Sequence, residues 1–194
     1  MKKLVIKTVV ITLLAAAMTA VTVFLIITLA FPATIAGFYG DVGDYRKAAN
    51  YEIKAYERDG SISHAVAAGD YALKSGDDEL VAKTVVYVIN DDEYDDFASE
   101  NVYHATMLTS KYIVAEYLLN GASEQLIDKA FSLLVGYVDH NQVESLIVAA
   151  YEKRDKETLT AVYNRLSALD KGSLSESEKV VLSNDLTILE KAIS

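Results

Sequence analysis

The chain has no cysteine and no tryptophan, a single proline and three histidines among its 194 residues. Without cysteine there is neither a disulfide nor a lipid-modified cysteine anchor, so stability has to come from packing. No Asn-x-Ser/Thr sequon occurs, although seven asparagines follow residue 30. Both absences fit a bacterial envelope protein better than a eukaryotic secreted one. His64, His104 and His140 each lack a second histidine or cysteine at metal-ligand spacing, so surface or capping roles are expected and no metal site. Gly-x-Ser-x-Gly, His-Glu-x-x-His, the phosphate-loop pattern and Gly-x-Gly-x-x-Gly are missing as well. Nothing therefore points to catalysis or to a cofactor.

Charge is also missing, over one long stretch. From Thr8 to Ala30 the chain is uncharged for 23 residues, behind Lys2, Lys3 and Lys7, and the next charge is Asp41. As a helix such a run spans about 35 Å, enough for a hydrocarbon core of ~30 Å. A cleaved secretory signal has a shorter apolar core of about 7–15 residues. Thr34 and Ala36 do offer small residues for cleavage, but the core length favours an uncleaved signal-anchor. Lys2, Lys3 and Lys7 stand close before the run, whereas the first basic residues after it are Arg46 and Lys47, behind Asp41 and Asp44; this asymmetry puts residues 1–7 in the cytoplasm, 8–30 across the lipid bilayer and the rest outside. Ala16 and Ala20 form a small-xxx-small pair, compatible with a weak homo-oligomer; a helix simply facing lipid is the plainer reading.

Past Ala36 there remain 158 residues, enough for one domain with a substantial core. Three of the 18 basic residues precede the apolar run and all 28 acidic residues follow it, leaving the exported part at −13. Such a surface suits neither nucleic acid nor anionic lipid, both of which need basic residues.

Apolar residues after Pro32 recur at three- and four-residue spacing, which predicts helices throughout. Tyr45, Ala48, Ala49, Tyr51, Ala55 and Tyr56 form one stripe, and Leu80, Val81, Val85, Val88 and Ile89 another. Leu126, Ile127, Ala130, Phe131, Leu134 and Val138 form a third; Leu146, Ile147, Ala149 and Ala150 lead to Leu159, Val162, Tyr163 and Leu166. Breaks fall at Gly43, Gly60, Gly76, Gly121 and Gly172. Ser61, Ser123 and Asp155 are start signals, and Ser175 with Glu178 makes a capping box. The β-branched run Thr84–Ile89 has no partner strand nearby and is read as a buried helix. The breaks are periodic: Gly43 and Gly76 lie 33 residues apart, as do Gly121 and Arg154. A repeat of that length with a helix on each side of the turn indicates a solenoid of helix pairs.

On these residues the chain resembles the tetratricopeptide repeat (TPR) family. Tyr39 to Asp59 looks like the half-repeat from the end of a first helix through the second: Gly43-Asp44-Tyr45 at the turn, Ala48 and Ala55 at the small packing positions, Ala36 at the close contact. The second unit places Gly69, Gly76-Asp77, Val81 and Val88 correspondingly. The third has Val114, Tyr117, Gly121, Leu126 and Leu133, and the fourth Ile147, Ala150, Asp155, Leu159 and Leu166. The resemblance implies an all-α TPR-like solenoid over 31–170, with 171–194 as a capping helix. It also implies a protein or peptide partner on a concave face. The consensus proline is absent, bulky residues replace small ones in later units, and the step from Gly76 to Gly121 is 45 residues. In this register the first helix of the first repeat runs from about Ala30 to Asp41, continuing out of the span, with Pro32 as the point where a kink is allowed near a helix start.

The acidic run Asp91, Asp92, Glu93, Asp95 and Asp96 coincides with the long step. It lacks the glycine and the distant glutamate of a calcium loop. It reads as a solvated loop and as the candidate surface for a basic partner. Of the 13 tyrosines, most of Tyr39, Tyr51, Tyr71, Tyr87, Tyr117 and Tyr163 are expected to fill gaps between helices. The sequence thus predicts a membrane-anchored, extracytoplasmic protein-binding adaptor or scaffold. A structural subunit of a membrane complex, packed through its span, is the alternative. A hydrolase would need His104 or His140 gathered with two or more carboxylates.

Overall fold

The computed structural model describes residues 2–133 and 141–194; Leu134, Val138 and His140 lie outside them. Among the described residues there are eleven helices and no strand. They are α1 (Lys2–Ala30), α2 (Pro32–Asp41), α3 (Tyr45–Asp59), α4 (Ile62–Ser75), α5 (Asp78–Ile89), α6 (Tyr94–Glu100), α7 (Val102–Asn120), α8 (Glu124–Ser132), α9 (Asn141–Glu152), α10 (Lys156–Ser167) and α11 (Glu176–Ile193). The β-branched run 84–89 falls inside α5, with Thr84, Val85 and Val88 buried. Thr84 is tolerated there because its hydroxyl donates back to the Leu80 carbonyl at 2.8 Å.

Helix α1 stands apart. Its segment Ile6–Thr28, 23 residues, is long and apolar enough to cross a membrane, and none of it is buried against the rest of the chain. Thr12, Thr19, Thr22 and Thr28 each donate to the carbonyl four residues back, which satisfies their hydroxyls in an apolar setting. The helix continues toward Asp41 only after a break at the Pro32 junction. Phe31 leaves helical geometry (φ −138°, ψ 62°) before Pro32 starts α2 at its first turn. Proline has no N–H to offer the carbonyl four residues back, so the ladder must be interrupted here. The interruption is one residue long, with Phe31 N still donating to Ile27 O at 2.8 Å. Arg58, from the last turn of α3, donates from Nη1 to the carbonyl of Ala30, an end group of α1.

The remaining helices pack chiefly on their neighbours in the chain: α2 on α3, α3 on α4, α4 on α5, then α5 on α7, α7 on α9, α9 on α10 and α10 on α11. The short α6 and α8 lie against α7 and α9. Small residues allow close approach among α2, α3 and α4. Ala36, Ala48, Ala49, Ala65, Ala68 and Ala72 are all solvent-excluded. A methyl added at Gly69 would come 3.0 Å from Leu108 Cδ2 and 3.5 Å from Val85 Cγ2, so α4 meets α5 and α7 without room for a side chain. From α7 onward the buried residues are larger. Ile113, Leu146, Leu159, Val162, Leu166, Leu182 and Leu189 form a second, bigger cluster. Each such side chain is worth ~1.5–3 kcal/mol of burial.

The turns share a design. Gly43 (φ 79°), Gly76 (φ 67°) and Arg154 (φ 56°) are left-handed, and each precedes an aspartate that caps the next helix. Asp44 accepts from Lys47 N, Asp77 from Leu80 N and Asp155 from Thr158 N. Ser123 accepts from Leu126 N, and the Ser175–Glu178 capping box is complete. Ser61 precedes α4 but its hydroxyl pairs with Ser63 Oγ at 2.8 Å instead of capping the helix.

Candidate functional site

The acidic run is not one solvated loop. Asp91 and Asp92 form the turn, Glu93 is the residue before α6, and Asp95 and Asp96 occupy its first turn. Carboxylates there are favoured by the positive end of the helix dipole. Tyr94 packs against the larger core cluster and Phe97 against the smaller, so α6 is pinned between the two. Asp91 faces inward: its Oδ2 accepts from Tyr56 Oη at 2.8 Å and its Oδ1 from Glu93 N at 2.8 Å. Asp92, Glu93, Asp95 and Asp96 are exposed. Among the described residues no group of three or more His, Cys, Asp or Glu side chains is placed to hold a metal ion.

Two histidines make interhelical ties, a role not foreseen. His64 Nδ1 lies 2.7 Å from Glu52 Oε2, and its Nε2 lies 3.5 Å from Asp59 Oδ2. His64 is on α4 and both carboxylates are on α3, so the imidazole closes that helix pair. Glu52 is buried, and burial raises its pKa against the lowering effect of His64. Its place at the centre of the Tyr45–Tyr56 stripe was the available signal, because a carboxylate on a buried face needs a partner. His104 Nε2 pairs with Asp70 Oδ1 at 2.7 Å while its ring meets Phe97 edge-on, which joins α7 to α4 and α6. His104 thus gathers one carboxylate, Asp70.

Tyrosines repeat a second kind of tie. Tyr56 Oη donates to Asp91 and Tyr117 Oη to Asp155 Oδ2 at 3.1 Å, reaching 35 and 38 residues along the chain. Tyr163 Oη donates to Glu190 Oε1 at 2.9 Å. Tyr39 stacks on Tyr51 and Tyr45 on Tyr71. Lys47 and Lys54 lie over the Tyr39 and Tyr51 rings. The expected gap-filling tyrosines are therefore in place, with Tyr117 buried and the others half-buried.

The apolar surface that remains open lies elsewhere. Between α9 and α11 a groove of about 650 Å³ is lined by Ile147, Val148, Tyr151, Ile188, Leu189 and Ala192, with Glu152 and Lys191 at its rim. Val148 (50%), Tyr151 (61%) and Ile188 (57%) are well exposed there. Helix α9 is apolar on both sides. Val143, Leu146 and Ala150 face the core, while Val148 and Tyr151 fall outside the stripe that the periodicity picks out. Val148 and Tyr151, apolar residues lying off the buried stripe of this helix, were the signal for a second contact.

Compared with known proteins, the chain matches no family model, no curated protein and no solved structure.

Proposed function

We propose that this is a single-pass membrane protein, with residues 1–7 cytoplasmic and an acidic, TPR-like helical solenoid outside, acting as a protein-binding adaptor or scaffold. Packing of each helix on its chain neighbours, and the recurring left-handed residue before a capping aspartate, support the repeat reading. Lys2, Lys3 and Lys7 on one side of the apolar helix support the orientation.

The groove between α9 and α11 is the observation that carries protein binding. Its occupant is an amphipathic helix of a partner: apolar residues fill the groove, a basic residue meets Glu152 and an acidic one meets Lys191. The exposed carboxylates Asp92, Glu93, Asp95 and Asp96 steer a basic partner from a distance.

A photo-crosslinking residue in place of Tyr151, in native membranes, tests this. One protein adduct is expected, lost on Ile188→Asp; an adduct that survives Ile188→Asp, or none at all, sinks the groove as the site. Losing one buried apolar side chain corresponds to roughly 10–100-fold in affinity. Deleting residues 91–96 would also remove Tyr94 and the Tyr56–Asp91 bond, so neutralising Asp92, Glu93, Asp95 and Asp96 to amides is the cleaner change. It should slow association and flatten its salt dependence while leaving the dissociation rate unchanged. An unchanged association rate at low salt would remove the steering role.

That no part of the apolar helix is buried against the rest of the chain favours a second reading, a subunit packed through its span. A foreign transmembrane helix should preserve an adaptor and abolish such a subunit.

A further inference from the structure

We propose that the lower end of the α3–α4 pair docks on the phospholipid headgroup layer, with Arg58 bridging the exit of α1 and a lipid phosphate. This inference rests on α1 crossing the bilayer. A helix that spans the hydrocarbon core ends in the headgroup layer. Ala30 is the last residue of α1, and the guanidinium of Arg58 donates to its carbonyl. Arg58 is therefore at that layer wherever the rest of the domain lies.

The bond has a local cause. The last carbonyls of a helix lack intrahelical donors, and Pro32 contributes no N–H. A cation near a helix C-terminus is further favoured by the helix dipole, more so where water is scarce. One of the five guanidinium donors serves Ala30; among the described residues no carboxylate pairs with Arg58. The remaining donors form a planar fork that fits a phosphate.

The neighbouring groups decide which feature of the membrane is read. Glu57 and Asp59 flank Arg58 and are exposed. Asp59 is engaged by Ser61 N at 3.1 Å and faces His64 Nε2. With Glu57 beside it, this end of the domain has no excess positive charge. The contact is therefore with the phosphate of an individual lipid and not with negative surface potential. Phe31, 57% exposed at the junction, adds an apolar contact at the same depth. The expected consequence is a domain held at one height and one lean over the bilayer.

Absence of cysteine makes the test direct, because labels can be placed without removing native thiols. The full chain is reconstituted in phosphatidylcholine nanodiscs with spin labels at Leu25→Cys and Glu57→Cys. One narrow distance is expected for the parent, and a roughly twofold broader distribution for Arg58→Ala. Arg58→Lys should fall between, since an ammonium reaches the carbonyl but cannot fork to phosphate. In parallel, ¹³C–³¹P dipolar dephasing at Arg58 Cζ should place phosphorus within about 4–5 Å, the reach of an arginine–phosphate pair. A parent without dephasing overturns the lipid contact. An Arg58→Ala distribution as narrow as the parent overturns the staple. A label at Met18→Cys reports separately on membrane insertion: if it is open to water, the membrane reading itself fails; if it is in lipid, either negative result falls on this inference alone.

Discussion

Glu52 occupies a position where the α3 stripe calls for an apolar residue, and His64 is what makes it tolerable. Burial raises the Glu52 pKa, so ionising it opposes folding as pH rises through its folded-state value. The stabilisation of the protonated form is complete below the ordinary carboxylate value and is lost as pH rises through the raised folded-state value. Glu52→Gln keeps a hydrogen-bonding group and removes the charge. At pH 7 its urea-unfolding free energy should equal or exceed the parent's, by about 0–1 kcal/mol. His64→Ala should instead cost about 1–3 kcal/mol by leaving a buried carboxylate without a partner. A strongly destabilised Glu52→Gln protein would show that the charge itself is required. The tyrosine ties give a second pH signature. The hydrogen bond to Asp91, then burial, holds the Tyr56 hydroxyl up at about 12. Burial, then the bond to Asp155, does the same for Tyr117, also to about 12. Their contribution is full below pH 10 and lost as pH rises from 10 to 12. Tyr56→Phe and Tyr117→Phe should each flatten the alkaline loss of stability seen by thermal melts between those pH values.

The turns before α3, α5 and α10 use one geometry with different residues. Glycine adopts it freely at Gly43 and Gly76, but Arg154 pays a strain penalty at φ 56°. Arg154→Gly should therefore raise stability by about 0.5–1 kcal/mol in calorimetry, and Gly76→Ala should lower it by a similar amount. Gly40 is constrained differently, by Tyr71, whose hydroxyl would lie 2.6 Å from an added methyl. Gly40→Ala should cost about 1–3 kcal/mol in the parent and become neutral or stabilising in a Tyr71→Leu background, where the ring is gone. Glycine breaks, the helix starts at Ser123, Asp155 and Ser175, and the helical state of 84–89 were legible in the sequence. Each is set by residues within one turn. The break at Phe31 was legible only as a kink, because its depth depends on how Pro32 and Arg58 share the end of α1. Helix α6 was hidden under its charges: Tyr94 and Phe97 hold it from the core, and no local pattern announces that. The groove on α9 was missed for a related reason. Periodicity finds the face that a helix buries, and Val148 and Tyr151 lie outside it.

The two halves of the domain are built from different materials. Helices α2–α4 bury mainly alanines and Gly69, those from α5 onward mainly leucine, isoleucine and valine. Since each helix leans mainly on its neighbours, a defect should stay local. Leu146→Ala should cost about 2–5 kcal/mol and lower hydrogen-exchange protection in α7 and α9–α11 far more than in α2–α4. Equal loss of protection across the domain would mean that the helices melt as one block.

The neighbour-on-neighbour packing of α2 through α11 also sets the order in which the chain can be assembled. A chain synthesised from its N-terminus presents α2 before α3 and α3 before α4, and each new helix finds its docking surface already exposed. Contacts close in sequence need little loop closure and form fast. The order of emergence is then the order of folding, and no helix has to wait for a distant partner with its apolar stripe uncovered.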